Sequence, residues 1–84
     1  MIKNVYSLKD LKSDYGSPML FSNDELAIRA FKNMLADTTP NLLTMNPEDF
    51  ELYCLGTLDT DSGILCSNIR FVFNCSMARK EQHD

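Results

Sequence analysis

The sequence has little of what most catalytic sites need. Its single histidine, His83, lies in the polar stretch "MARKEQHD", and no lysine is surrounded by apolar residues that would depress its pKa. The three glycines, Gly16, Gly56 and Gly63, are isolated, so no glycine-rich run is present to cradle a phosphate. These gaps predict that the protein is not an enzyme. The opening "MIKNVYSLKDLK" carries three lysines and no uninterrupted apolar run of seven residues, which predicts no signal peptide and a protein that stays in the compartment where it is made. No segment reaches the roughly 20 apolar residues of a membrane span. Internal repeats and low-complexity segments are also missing.

Positive charge is in short supply. Twelve acidic residues stand against eight basic ones, a net charge of -4, so the molecule as a whole repels phosphate and strong nonspecific duplex binding is not expected. The cysteines are too few and too widely spaced for a framework. Cys54, Cys66 and Cys75 leave one unpaired in any disulfide scheme, and a zinc site completed by His83 lacks the close ligand pairs that pre-organise such sites. They read as small apolar residues in a reducing interior, and no metal or cofactor is expected.

What is present suits one small domain. With 84 residues, 44% of them hydrophobic, the chain closes a single core, and a core of that size leaves a stability of roughly a few kcal/mol. Residues 1–76 are expected to form the domain and 77–84 a polar tail. In "IKNVYSL", Ile2, Tyr6 and Leu8 alternate with Lys3, Val5 and Ser7, predicting a first strand. "KDLKSDYGSPML" mixes charge with Gly16 and Pro18 and reads as an irregular surface crossing. In "FSNDEL", Ser22 and Glu25 form a capping-box pattern with Phe21 and Leu26 as a hydrophobic staple. Ala27, Ala30, Phe31, Met34 and Leu35 then recur at helical spacing. The helix is expected to end near Asp37, with Thr39 and Pro40 starting one short further turn.

After the turn-like "NPED", the segment "FELYCLGTL" alternates. Phe50, Leu52, Cys54 and Leu58 fall on one face and Glu51, Tyr53, Leu55 and Thr57 on the other. "ILC" can pair back on it, and "NIRFVFNC" places Ile69, Phe71, Phe73 and Cys75 on one side with Arg70, Val72 and Asn74 opposite. The expected fold is α+β, with one main helix packed on a mainly antiparallel sheet of three to four strands. Its open edges, together with the thin core, predict a homodimer.

"DTDSG" is the stretch most suggestive of chemistry. A calcium loop counted from Asp59 would need glycine at its sixth position and glutamate at its twelfth. Those positions hold Ile64 and Arg70. Asp61-Ser62-Gly63 has the form of an aspartic-protease triplet, but it follows polar residues instead of an apolar strand end. A tight connection between two strands is the expectation. For nucleic acid, Lys9, Lys12, Arg29 and Lys32 are the candidate contacts, with Tyr6 and Tyr15 as stacking surfaces for single-stranded DNA. Asp10 and Asp14 are interleaved with these lysines, as in any solvated face.

The ordered set Tyr6, Asp10, Pro18, Asn23, Asp24, Ala27, Arg29, Phe31, then Pro47, Asp49, Phe50, Leu52, Tyr53, Gly56, Asp59 and Gly63 closely resembles the small nonstructural protein of gokushoviruses, microviruses with single-stranded circular DNA. The resemblance runs from about residue 5 to residue 65 and departs at "NIRFVFNC". It implies a phage protein of the host bacterial cytoplasm, absent from the virion. Its implied role lies in viral DNA replication or the switch to single-strand synthesis and packaging. The expected partners are single-stranded DNA and phage replication or host proteins, the alternative being a protein-interaction factor that targets a host or assembly component without binding DNA.

Overall fold

The computed structural model describes residues 1–35 and 46–76. The expected helix end at Asp37, the turn at Thr39 and Pro40, and the tail 77–84 lie outside the described residues. So does the Leu35 side chain.

The fold is α+β. Strand β1 (Ile2–Asp10) is followed by a short β2 (Met19–Phe21), helix α1 (Asp24–Leu35), a 3-10 turn (Pro47–Asp49), and two long strands, β3 (Phe50–Asp59) and β4 (Leu65–Asn74). They form one antiparallel sheet in the order β2-β1-β3-β4. The stretch expected to cross the surface irregularly instead returns beside β1. Asp10 turns the chain, its carboxylate accepting from the Lys12 backbone N–H at 3.0 Å and its own N–H donating to the Asp14 carbonyl at 2.9 Å. Gly16 then donates to the Leu8 carbonyl at 2.8 Å, and Met19 pairs with Tyr6. Three strand residues are too few to show a period, which is why the pairing was hidden in the sequence.

Helix α1 forms where expected, but its cap sits one residue later. The Asn23 side-chain oxygen accepts from the Leu26 N–H at 2.9 Å, which makes Asn23 the N-cap in place of Ser22. The shift moves Phe21 and Leu26 out of staple positions. Leu26 is exposed, while Phe21 packs edge-on against Phe31 with centroids 6.4 Å apart. Ala27 and Phe31 are buried against Tyr6, Leu52, Cys54, Phe73 and Cys75, and this cluster is the core. Met34, expected on the same stripe, is exposed.

Asp24, in the first turn of α1, fixes the helix to the sheet. Arg70 of β4 donates to both its carboxylate oxygens at 2.7 Å, and the buried Tyr6 hydroxyl donates to the same carboxylate. Asn4 in turn donates to the Tyr6 hydroxyl at 3.0 Å. The Arg70 guanidinium holds the Asp24 carboxyl below its ordinary range. Burial first, and then the bond to Asp24, push the Tyr6 phenol up to about 12.

Strand alternation holds in β1 but breaks twice afterwards. Val5 pairs with Gly56 while Tyr6 pairs with Cys54, so Leu55 is an extra residue in β3. Beyond this bulge Leu58 pairs with Lys3 and Thr57 with Asn4, which reverses the faces expected for Leu58 and Thr57. In β4, Phe73 pairs with Leu52 but Phe71 pairs with Tyr53, leaving Val72 extra. Phe73 and Cys75 are therefore buried, whereas Phe71 is 50% and Ile69 60% exposed on the opposite face. "ILC" and "NIRFVFN" belong to one continuous strand.

The β3–β4 hairpin closes as the "DTDSG" stretch predicted. Gly63 has φ +80° and donates to the Asp59 carbonyl at 2.7 Å. Asp59 accepts from the backbone N–H of Asp61 at 2.9 Å, and this bond above all lowers its pKa. The chain's first ammonium pairs with Asp61, so both aspartates serve the turn.

Two consequences can be measured. Gly56 has φ +152°, and a side chain there would be driven into the Cys66 backbone carbonyl. Gly56→Ala should therefore destabilise by roughly 2–4 kcal/mol, against about 1 kcal/mol for Gly63→Ala, where space is open. Comparable denaturant midpoints for the two variants would show that the β3 bulge yields. A depressed carboxylate pKa contributes stability that is present above the ordinary range and lost as pH falls through the folded value. Asp24→Asn should thus cost about 1 kcal/mol or less at neutral pH, since the pair is more than a third exposed. The gap from wild type should narrow as pH falls below the ordinary carboxylate range, as read from urea melts at neutral and acidic pH.

Candidate nucleic-acid interface

The sheet has two unlike faces. One carries α1 and the core. Among the described residues, no helix lies on the other, which we call the outer face. It is assembled from β1 (Lys3, Val5, Ser7, Lys9), from Glu51, Tyr53 and Leu55 of β3, and from Leu65, Ile69 and Phe71 of β4, with Tyr15 and Pro18 arriving from the turn after β1.

Three aromatic rings form a row on this face. Tyr15 meets Tyr53 edge-to-face at 5.7 Å, and Tyr53 meets Phe71 in the same manner at 5.8 Å, a favoured packing geometry for aromatic rings. The Lys9 ammonium sits 5.4 Å from the Tyr15 centroid and 5.9 Å from that of Tyr53, within reach of a cation–π attraction to both. Tyr53 donates its hydroxyl to Glu51 at 3.1 Å, and this bond to a carboxylate raises the Tyr53 pKa. Below the row, Ser7 is fully buried, its hydroxyl donating to the Gly16 carbonyl at 2.8 Å. That bond anchors the segment bearing Tyr15 and gives the row a firm base.

Beside the row runs an open groove of about 420 Å³ walled by Val5, Tyr15, Pro18, Leu55, Leu65 and Ile69. Its walls are apolar, and Leu65 is 68% exposed.

The four candidate cations divide between surfaces. Lys9 joins the aromatic row. Lys12 lies in the turn after β1, where its backbone N–H is held by Asp10. Arg29 and Lys32 are on α1, beside Ile28 and Asn33, on the other side of the sheet. Of the two tyrosines expected to stack, Tyr15 is on the outer face and 37% exposed, while Tyr6 is 0% exposed and belongs to the core. Tyr6 alternates with Val5 and Ser7, and its hydroxyl is committed to Asp24, so it offers no surface to a base. Sequence reasoning missed Tyr53 and Phe71. Tyr53 carried a signal, since it alternates out of the Leu52–Cys54 face. Phe71 carried none, because the extra Val72 that reverses it is not marked in the sequence.

Other clusters offer less. Cys54 and Cys75 are buried and Cys66 is exposed, with burial pushing the Cys75 thiol up to about 11. Among the described residues, no group of three or more His, Cys, Asp or Glu side chains is placed to hold a metal ion, and no helix is long and apolar enough to cross a membrane.

The Glu51 contact can be read directly. The Tyr53 ring resonances should titrate at higher pH than a free tyrosine, and Glu51→Gln should bring the midpoint down by removing the carboxylate acceptor. An unchanged NMR titration in the variant would show that Tyr53 does not rest on Glu51.

Comparison with known proteins adds a lineage to this geometry. No curated protein and no solved structure matches the chain. Residues 3–78, nearly the whole sequence, match the family model described as Phage ORF5 protein, and the chain belongs to that phage protein family.

Proposed function

We propose that this phage protein is a non-enzymatic, nonstructural accessory factor that binds single-stranded DNA on the outer sheet face. It would act in viral DNA replication, or in the switch to single-strand synthesis and packaging, in the cytoplasm of the infected bacterium. The resemblance to gokushovirus nonstructural proteins supplies the setting. The observation that carries the binding is the row Tyr15, Tyr53 and Phe71 with Lys9 over two of its rings.

Unpaired bases stack on sheet-borne aromatic rings at about 1–3 kcal/mol per base, and a nearby cation tracks the phosphates. A duplex hides its base faces, so this surface favours single strands. The charge pattern agrees with that choice. The chain is acidic overall, yet the strand residues of the outer face that carry charge at neutral pH are Lys3, Lys9 and Glu51, two cations against one anion already engaged by Tyr53. Binding should accordingly be modest and salt-dependent.

A second reading rests on Leu65 and Ile69, 68% and 60% exposed. Apolar surface of this extent also suits a protein contact, either with a second copy of this chain or with a host or assembly component, and without DNA.

Fluorescence anisotropy with a labelled single-stranded oligonucleotide separates the two. We expect micromolar binding that weakens as salt rises. Tyr53→Ala with Phe71→Ala should weaken it at least tenfold, the equivalent of one lost stacking contact. Lys9→Gln should reduce both affinity and salt dependence, whereas replacing Arg29 and Lys32, on the helix side, should have the smaller effect. No salt-sensitive binding at micromolar protein would remove the DNA reading and leave the protein contact.

A further inference from the structure

We infer that the groove beside the aromatic row is a nucleobase subsite that favours thymine, and that Lys3 holds the phosphate at its far end. The inference rests on the single-stranded DNA reading above and assigns to it a path and a preference.

The path follows from the alternation of β1. Lys3, Val5, Ser7 and Lys9 share the outer face, and the six-residue step from Lys3 to Lys9 covers about 20 Å of strand. Lys9 stands over the aromatic row. Lys3 pairs with Leu58, which pairs with Leu65, so it marks the opposite end of the groove. Val5, between the two lysines, forms part of the groove floor. One face of one strand therefore presents a cation, an apolar recess, an aromatic row and a second cation in that order. A strand of nucleic acid lying along β1 meets positive charge at both ends and base-binding surface between them.

The preference follows from the walls. Of the groove residues, only Tyr15, Cys66 and Ser67 bring polar side-chain atoms, and the other five are wholly apolar. A base placed here buries its edge without a set of partners, which penalises exocyclic amino groups. Thymine has no amino group and carries a methyl that suits Leu55, Leu65 and Ile69, the kind of apolar contact that distinguishes thymine elsewhere. Uracil lacks only that methyl, which makes the comparison of the two decisive.

The test is anisotropy with oligo-dT and oligo-dU of equal length at two salt concentrations. Wild type should bind oligo-dT roughly fourfold more tightly for each methyl buried. Leu65→Ser with Ile69→Ser, both at exposed positions and so compatible with folding, should erase the dT–dU difference while salt-dependent binding of oligo-dU persists. Lys3→Gln should weaken both oligomers equally and lower the salt slope by about one. Equal binding of dT and dU by wild type, with salt sensitivity intact, would overturn the subsite and leave single-stranded DNA binding standing. An unchanged salt slope in Lys3→Gln would overturn the path. No binding of either oligomer overturns both readings. Should the Leu65/Ile69 variant sediment as a smaller species than wild type, with unaltered DNA affinity, the groove is an interface between copies of the chain and the subsite assignment is wrong.

Discussion

The side-chain phase of the two long strands governs this molecule. A strand alternates strictly, so one extra residue moves everything beyond it to the other face. Leu55 does this in β3 and Val72 in β4. Without the second shift Phe71 would join Phe73 in the core, and the outer face would lose the end of its aromatic row. With it, Phe73 closes the core under α1 while Phe71 stands beside Tyr53. The bulge at Leu55 depends on Gly56, whose backbone meets the Cys66 carbonyl where no side chain fits. A single glycine thus permits the arrangement that gives the sheet two chemically different sides.

The same division organises charge. On the helix side, Asp24 draws together Arg70, Tyr6 and the start of α1, so an acidic residue that would repel phosphate is neutralised within the fold. Its position in the first helical turn adds the favourable interaction with the helix dipole. At the hairpin, Asp59 and Asp61 are occupied by backbone N–H groups and by the first residue's ammonium. Each of these exposed pairs contributes little energy on its own. Together they engage carboxylates away from the open face, where among the described strand residues the cations are Lys3 and Lys9.

A thin core explains why so much apolar surface remains outside. Among the described residues, one helix covers one face of a four-stranded sheet and no second layer lies on the other, as a chain of this size allows. Beside the exposed apolar residues of that face stand the aromatic rings of Tyr15, Tyr53 and Phe71 and the Lys9 ammonium.

By itself the sequence determined the local structure. Apolar alternation defined β1 and the face of β3 that bears Leu52 and Cys54. The spacing of Ala27 and Phe31 defined the buried side of α1, and Asp59 to Gly63 defined the closing turn. Each of these is encoded by residues within a few positions of one another. The exact cap was only partly legible, because Ser22 and Asn23 are both good caps and the pull of Tyr6 and Arg70 on Asp24 comes from distant strands. The return of β2, the faces of Leu58 and Phe71, and the meeting of Tyr15, Tyr53 and Phe71 were decided by tertiary structure alone. A bulge exists only between two paired strands, so neither strand's own pattern records which residue will be the extra one.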